Sequence, residues 1–240
     1  MFAFDFRRRA IRSSVHVLRC ALIGVGAAVF VAGASLAAPG DELWSTRWSR
    51  PGADQPVLAT TEFAGQLVIG GQFDNVTSIP AHRVAAWNGF SWTSFGPGFN
   101  GDVNALVVYN GELYAGGSFT ASGPTVLHGL ARWNGTAWVD VGGGTDGIVN
   151  ALGVFNSTLI VGGSFNQVGP STAAGHIAAW NGTTWNTLGG GITTGDIVYD
   201  VETFGTTLYV TGLFEEVGGV AAANIARWSG AAWSALGAGL

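Results

Sequence analysis

The chain has no lysine, and charged residues of any kind make up only 10% of its 240 positions. All ten cationic residues are arginines, against fifteen Asp and Glu residues, so the formal net charge is −5. The absence of lysine excludes a phosphate-binding loop that ends in Gly-Lys-Ser/Thr. An acidic, lysine-free protein also attracts polyanions weakly, which argues against nucleic acids and anionic membranes as partners.

Cysteine is almost absent, since Cys20 is the single example. It lies within residues 1–37, which have the features of a signal peptide: an arginine-rich start, an apolar stretch at 21–33 and small residues at 35–37. The apolar stretch is shorter than the roughly 20 residues that a transmembrane helix needs, although a retained membrane anchor is the alternative. We therefore predict that cleavage after Ala37 yields a secreted, periplasmic or cell-surface protein without disulfides and without membrane insertion.

Removal of the predicted signal peptide makes the protein more acidic. Residues 1–37 contain five of the ten arginines and one acid, Asp5. The remaining chain has five arginines against fourteen acids, a formal net charge of −9. Such a charge is compatible with divalent cations, with basic partners or with a role in solubility alone.

The ten tryptophans fall into five pairs that recur along the chain. The pairs are Trp44/Trp48, Trp87/Trp92, Trp133/Trp138, Trp180/Trp185 and Trp228/Trp233. The second members of the last four pairs are 46, 47 and 48 residues apart. A step of this length indicates one structural unit copied several times, because a single active site would not require it.

Each copy contains four short segments rich in β-forming residues, separated by Gly, Asn, Asp and Ser. The second segment ends in a glycine block followed by an aromatic residue, at 70–73, 116–119, 162–165 and, in degraded form, 211–214. Short strands at regular spacing with turn residues between them predict an all-β fold. Four strands in about 40–50 residues match one blade of a β-propeller, so we predict a β-propeller of four-stranded blades.

The predicted organisation has an N-terminal segment at 38–56 and four full repeats at 57–102, 103–148, 149–197 and 198–240. The N-terminal segment contains a stretch similar to the fourth strand of a unit, and the last unit already has its own fourth strand at Trp233. One strand is thus in excess of what closure needs, so we expect an incomplete ring; a closed four-bladed ring with an unlatched N-terminus is the alternative. An open ring would expose the apolar faces of its terminal blades and favour self-association through them.

The link between the third and fourth strands carries the Trp pair. Its sequence is Trp-Asn-Gly-x-x-Trp in three copies and Trp-Ser-Gly-x-x-Trp in the last. A type II′ turn with glycine at the first central position needs a positive φ there, which glycine adopts without strain. This register sets the two Trp side chains opposite each other, where an aromatic pair adds about 0.5–1.5 kcal/mol. The competing Asn-Gly type I′ turn would set Trp87 opposite Phe90.

The double glycine that ends a strand, the aromatic residue after it and the Trp-Asn-Gly-x-x-Trp hairpin together resemble the kelch-type propeller repeat. The resemblance covers residues 44–240 and is closest to secreted bacterial surface propellers and the fungal cortical polarity-marker propeller. It implies a family of protein-binding modules, structural surface proteins and a few oxidases. The copper oxidases of this shape need Tyr, His and Cys ligands, and the chain after residue 37 has no cysteine. Oxidase activity is therefore not implied.

One acid recurs shortly before the first strand of each unit. These acids are Asp54, Asp102, Asp146 and Asp196. Since the first strand of a propeller blade lines the central channel, the four would gather at the channel mouth and bind a cation, with Ca²⁺ as the candidate, or a cationic ligand. The structural alternative is that each Asp caps a turn through the backbone. Their unequal offsets from the strand weaken the first hypothesis.

His82, His128 and His176 precede the third strand in successive units. We expect polar loop residues rather than zinc ligands, because each lies in a different blade and away from the axis. No Ser-His-Asp order, paired carboxylate or nucleophile elbow stands out. The sequence thus predicts no catalytic residue, no metal site and no cofactor beyond the candidate Ca²⁺.

The favoured hypothesis is an exported, non-catalytic β-propeller that serves as a surface or extracellular interaction module for a protein or a glycan. Phe90, Phe95 and Phe99 are candidate contact residues, although Phe95 suits the core equally. The alternative is a polysaccharide hydrolase or lyase with its site at the channel mouth. That alternative needs two carboxylates about 5–10 Å apart in one pocket, and we expect that Asp102 and Asp146 do not provide them.

Overall fold

Runs of β-branched and aromatic residues between glycine-rich turns form strands throughout residues 52–237, the range that the computed structural model describes. All of them belong to one unit of the chain, Leu43–Leu240. Residues 52–237 include no helix long and apolar enough to cross a membrane. The predicted all-β class is confirmed, whereas the predicted signal peptide and most of the predicted extra strand lie outside the described residues.

The strands follow the repeats. The first repeat contains β1 (Val57–Phe63), β2 (Gln66–Gly71), β3 (Asn75–Val76), β4 (Ile79–Pro80), β5 (Val84–Trp87) and β6 (Trp92–Ser94). The second contains β7 (Val103–Tyr109), β8 (Glu112–Gly117), β9 (Ala121–Ser122), β10 (Thr125–Val126), β11 (Leu130–Trp133) and β12 (Trp138–Asp140). The third contains β13 (Ile148–Phe155), β14 (Thr158–Ser164), β15 (Gln167–Val168), β16 (Thr172–Ala173), β17 (Ile177–Trp180) and β18 (Trp185–Thr187). The fourth contains β19 (Ile192–Phe204), β20 (Thr207–Val217), β21 (Val220–Ala221), β22 (Ile225–Trp228) and β23 (Trp233–Ala235).

Each repeat forms one antiparallel sheet with its strands side by side in chain order. The orders are β1-β2-β5-β6, β7-β8-β11-β12, β13-β14-β17-β18 and β19-β20-β22-β23. Between the second and third main strands the first three repeats insert a small two-stranded hairpin, and β21 pairs with β20 in the fourth. The four-stranded unit is as predicted, but the small hairpin was not, because its strands of two residues are too short to show periodicity.

The second glycine of each block faces a β-bulge in the first strand. In the second repeat the register shifts between Val103 and Ala105, which pair with Gly117 and Gly116. A Cβ on Gly117 would lie 1.9 Å from the carbonyl oxygen of Asp102. Gly71, Gly163 and Gly212 are in the same situation, with carbonyl oxygens at 2.2, 2.0 and 2.1 Å. The bulge therefore requires glycine at this position of every repeat.

The first glycine of each block receives a valine from the next sheet. A Cβ on Gly70, Gly116 or Gly162 would lie 2.5 Å from the Cγ1 of Val103, Val149 or Val198, respectively. The expectation that the tandem glycines allow close packing between sheets is thus confirmed at the three internal junctions. In the fourth repeat Thr211 stands at this position, and no further sheet follows it within residues 52–237.

The second Trp of each later hairpin joins one repeat to the repeat before it. The indole N–H of Trp138 donates to the carbonyl oxygen of Phe95 at 3.0 Å, and that of Trp233 donates to Leu188 at 3.0 Å. Both indoles are buried, with 1% and 7% of their surface exposed. A buried Trp with a satisfied N–H stabilises the junction through its area and its hydrogen bond together.

The hairpin register is the predicted one. Trp87 pairs with Trp92, and the same holds for Trp133/Trp138, Trp180/Trp185 and Trp228/Trp233. The ring centroids of these pairs are 5.1–5.4 Å apart. Gly89, at the first central position of its turn, has φ = 99°. The competing register, with Trp87 opposite Phe90, is wrong, because the Asn88 carboxamide oxygen accepts from the N–H groups of Phe90 and Ser91 and closes the turn around Gly89 and Phe90.

Consecutive sheets pack face to face in chain order. Their first strands adjoin, β1 beside β7, β7 beside β13 and β13 beside β19, and three apolar clusters fill the junctions. Within residues 52–237 no comparable packing joins the fourth sheet to the first, and no closed ring is formed. The repeated four-stranded sheet is therefore established, and the propeller arrangement stays a prediction.

The bulge makes a prediction about Gly163. Gly163→Ala is expected to lower the free energy of unfolding by about 3 kcal/mol, because the new Cβ meets a backbone oxygen that cannot rotate away. Urea denaturation followed by Trp fluorescence measures the loss. Thr211→Ala, one residue before the glycine of the fourth repeat that matches Gly163, is the control and should change stability by less than about 0.5 kcal/mol. Equal effects of the two variants would contradict the role of the bulge.

Candidate binding site

The four predicted site acids do not occupy equivalent positions. Asp54 and Asp146 lie three residues before the valines that pair with the second glycine, Val57 and Val149. The matching residue of the second repeat is Asn100. Asp102 and Asp196 stand one and two residues before their own valines, so the recurrence that the sequence indicated mixes three positions.

Asp146 connects the start of the third repeat to its small hairpin. Its Oδ1 accepts hydrogen bonds from the backbone N–H groups of Asn166, at 2.8 Å, and Gln167, at 2.9 Å. In the second repeat the Oδ1 of Asn100 does the same for Thr120 and Ala121, at 2.8 and 2.9 Å. In the second repeat an amide oxygen thus replaces the carboxylate oxygen of Asp146. The shared feature of the two repeats is therefore the hydrogen-bond acceptor and not the negative charge.

Asp54 holds the small hairpin of the first repeat in the same manner. Its Oδ1 accepts from the backbone N–H groups of Asp74 and Asn75, at 3.0 and 3.1 Å. The side-chain amide of Asn75 donates to Oδ2 at 2.8 Å. These hydrogen bonds, the one from the Asn75 side chain first, lower the pKa of Asp54 below its ordinary value of 3.8. The geometry of Asp54 and Asp146 is that of the structural alternative, a carboxylate that satisfies backbone donors.

Asp102 and Asp196 have different surroundings. Asp102 accepts a hydrogen bond from Gln72 Nε2 at 2.7 Å, and its Oδ1 lies 3.5 Å from Arg83 Nε. It therefore connects the residue before β7 with the residue after β2, and it shares Arg83 with Asp74, which lies 3.1 Å from that guanidinium. Asp196 is exposed, and its charge acts on His176. Within residues 52–237 no three His, Cys, Asp and Glu side chains converge as a metal site would require. Cation or ligand binding by these acids stays a prediction.

The three histidines also differ in position. His82 and His128 stand two residues before β5 and β11, and His128 Nδ1 lies 3.3 Å from Asp140 Oδ1. His176 stands one residue before β17, in a left-handed backbone conformation with φ = 66°. Gly129 and Asn224 occupy the same place in the second and fourth repeats. Burial lowers the pKa of His176, against the charges of Asp196 and Asp146.

A pocket of about 520 Å³ opens between the second and third repeats, beside Asp146. Residues 118–120, 126–129 and 145–148 line it. Two of them are apolar side chains in contact with solvent, Val126 at 66% exposure and Ile148 at 43%. His128 and Asp146 add polar groups, and no hydrogen bond reaches Asp146 Oδ2 from residues 52–237. Apolar walls with a few polar groups at the rim are typical of a binding site.

Sequence analysis identified Asp146 but missed Val126 and Ile148. The residue that matches Ile148 is Pro56 in the first repeat, Asp102 in the second and Ile197 in the fourth, so comparison of the repeats gives no signal that sets Ile148 apart.

Of the three candidate contact phenylalanines, only Phe90 is exposed, at 92%. Phe95 and Phe99 are 9% and 5% exposed and lie in the core between the first two sheets, so a role for them in ligand contact is wrong. The ring of Phe99 stacks on that of Phe119, with centroids 4.2 Å apart. The turn between repeats is glycine-rich, and its backbone folds these rings inward because the sheet junction offers an apolar site for them.

No protein-family model and no curated protein sequence matches the chain. Among solved structures it is similar to the crystal structure of the computationally designed Ika4 protein, with 14% identity and a TM-score of 0.48 over 75% of this chain and 94% of that one. It is also similar to that of the computationally designed Ika8 protein, with 11% identity and a TM-score of 0.36 over 76% of this chain and 60% of that one. The fold assignment therefore comes from the strands of the chain itself: an all-β protein of repeated four-stranded antiparallel sheets.

Asp146 allows its structural role to be separated from a role in binding. Asp146→Ala removes two hydrogen bonds to backbone donors and should lower the free energy of unfolding by about 1–2 kcal/mol. Asp146→Asn keeps an oxygen acceptor, as Asn100 does in the second repeat, and should stay within about 0.5 kcal/mol of the unaltered protein. Urea titrations compare the three proteins. A loss with Asn as large as the loss with Ala would contradict the capping role.

His176 should make stability depend on pH. Because its pKa is lower in the folded than in the unfolded protein, the unfolded chain takes up the proton first as the pH falls below about 6.5. Stability is therefore complete above that pH and declines as the pH falls through the pKa of the folded state. His176→Asn, which suits the left-handed backbone, is the control. The unfolding free energy of the unaltered protein minus that of the His176→Asn variant should decrease from neutral to mildly acidic pH. The same pH dependence of stability in both proteins would exclude the effect.

Proposed function

We propose that this protein is an exported, non-catalytic β-propeller of the kelch type that acts as an extracellular or cell-surface interaction module. The observation that carries the binding role is the pocket between the second and third repeats. Val126 and Ile148 expose apolar surface there. Exposed apolar side chains grouped at a pocket favour recognition of a partner.

The packing of the sheets supports the propeller part of the proposal. Each sheet lies against the next with its first strand beside the next first strand, as blades do around an axis. The two motifs behind the kelch resemblance both serve this packing: the double glycine receives a bulge and a valine, and the paired Trp reach the preceding repeat. A repeat built in this way is a scaffold, and its function depends on the loops that it carries.

The chemistry of the pocket favours a protein or glycan ligand. Its apolar side chains suit an aliphatic side chain or the apolar face of a sugar ring, while Asp146 and His128 offer hydrogen-bonding groups beside them. The acidic charge of the chain after residue 37 favours hydroxyl-rich or cationic ligands over phosphates.

The pocket gives little support to the alternative of a polysaccharide hydrolase or lyase. Glycoside hydrolysis uses a pair of carboxylates on either side of the scissile bond. The lining of this pocket includes one carboxylate, Asp146, and one of its oxygens is engaged by two backbone donors. Asp102 is not among the lining residues and is paired with Arg83.

Binding is tested with the processed chain and a defined probe set of neutral oligosaccharides, uronic-acid oligosaccharides and Arg-containing peptides, using saturation-transfer NMR. We expect one probe class to bind, and Val126→Ser to weaken that binding at least tenfold, about 1.4 kcal/mol. Phe90→Ser is the matched control, because Phe90 is an exposed apolar residue of a different repeat. Equal weakening by both variants would remove the pocket from the proposal.

The same samples test the non-catalytic claim. Shortened oligosaccharides after prolonged incubation, detected by mass spectrometry, would overturn the claim in favour of a hydrolase or lyase.

Export is tested by N-terminal sequencing of the protein recovered outside the cytoplasm, and its first residue should be Ala38. An intact residue 1–37 segment in a membrane fraction would support a retained anchor instead.

A further inference from the structure

Within residues 52–237, four of the seven large apolar side chains that are strongly exposed lie on the first and the last sheet, and three of the four, Val57, Leu67 and Phe204, match residues that the internal sheets bury. Val57 and Leu67 are 42% and 44% exposed, and Phe204 and Leu213 are 79% and 51% exposed. The other three are Phe90 and the pocket residues Val126 and Ile148. The distribution places the unexplained apolar surface at the two ends of the row of sheets.

Val57 and Leu67 lie on one face of the first sheet. In each of the later sheets the same face packs on the preceding sheet. The residues matching Val57 are Val103, Val149 and Val198, each 0% exposed. Those matching Leu67 are Leu113, Leu159 and Leu208, each 0% exposed. Trp87 lies on the same side as Leu67, with which it pairs across the strands, and is half-buried. We refer to Val57, Leu67 and Trp87 as the head face.

Phe204 and Leu213 belong to the opposite side of the fourth sheet. The residues matching Phe204 are Tyr109 and Phe155 in the second and third repeats, only 2% and 4% exposed beneath the next sheet. The neighbouring Tyr209 is half-buried and Arg227 is exposed, whereas Val68 and Ile160 at the position of Tyr209 are buried. We refer to Phe204, Tyr209, Leu213 and Arg227 as the tail face.

The junction between the second and third sheets shows what the Tyr–Arg pair of the tail face contacts, with the difference that Glu202, which pairs with Tyr209, stands where the second sheet has Val107. Tyr114 and Arg132, which pair on adjacent strands, match Tyr209 and Arg227, which pair in the same way. Tyr114 is buried in the apolar cluster between the second and third sheets, which also contains Trp180. Trp87 of the head face occupies the position of Trp180. The head face thus carries a Trp at the position that belongs to the same cluster as Tyr114 inside the protein.

We propose that two copies of this chain associate head to tail, the head face of one packing on the tail face of the next in the manner of the internal sheet junctions. Such a contact is heterologous, so it closes into a ring or extends into a filament according to the rotation between copies. The inference rests on the packing of the sheets and is independent of the proposed pocket ligand.

Thr211 limits the strength of this contact. At the internal junctions the matching residue is glycine, and a Cβ there would lie 2.5 Å from the valine of the next sheet. Thr211 therefore keeps Val57 of the second copy from approaching as closely as Val198 approaches Gly162. The intermolecular junction should be weaker than an internal one and reversible, and Thr211→Gly should strengthen it.

The test is sedimentation velocity of the full processed chain over a concentration series. The unaltered protein should associate reversibly. Phe204→Ser on the tail face and Leu67→Ser on the head face should each raise the dissociation constant at least tenfold, and Thr211→Gly should lower it. Phe90→Ser, equally apolar and exposed but off both faces, should change nothing. Circular dichroism verifies that each variant is folded, which the exposure of the replaced side chains favours.

Mixing the variants separates head-to-tail association from the symmetric alternatives. The Phe204→Ser chain keeps its head face and the Leu67→Ser chain keeps its tail face, so the mixture should form one-to-one complexes that neither variant forms alone. Undiminished self-association of either variant would indicate head-to-head or tail-to-tail contact and overturn the proposal. A protein that stays monomeric at every concentration would overturn it as well.

Discussion

In each of the first three repeats a carbonyl oxygen and a valine side chain approach two neighbouring glycines, and the arrangement of the sheets depends on this contact. The carbonyl comes from the bulged first strand of the same sheet, and the valine from the first strand of the next. Neither approach leaves space for a Cβ, which is why Gly116 and Gly117 stand side by side in a strand despite the cost of glycine there. The bulge bends the first strand, and the valine sets how closely the next sheet follows.

The other recurring residues make contacts that depend on this close packing of the sheets. The second Trp of each later pair donates its indole N–H to a carbonyl oxygen of the preceding repeat, and Asp146 or its counterpart holds the small hairpin. These are requirements of the scaffold. The features of functional interest are apolar side chains that the scaffold leaves exposed, Val126 and Ile148 at the pocket and Phe204 and Leu213 on the last sheet.

Some recurring patterns in the sequence predicted the structure correctly, and others did not. The Trp register was predictable because a glycine at one fixed turn position leaves few ways to close a hairpin. The four acids are not equivalent in the structure, because a similar distance in sequence from the first strand does not give the same surroundings: Asp54 and Asp146 accept from backbone donors, and Asp102 lies beside Arg83. The predicted ligand contacts of Phe95 and Phe99 were wrong because a glycine-rich turn can direct an aromatic ring either toward solvent or toward the core. The local sequence does not distinguish the two directions.

The sequence by itself determined the all-β class, the four-stranded repeat, the hairpin register and the need for paired glycines, because each follows from local spacing and backbone conformation. Only the tertiary structure decided which apolar residues are buried. Phe155 and Phe204 occupy the same position of their repeats, yet one is 4% exposed and the other 79%. Burial depends on the sheet that lies above a residue, and a repeat cannot encode in its own residues whether a neighbour follows it.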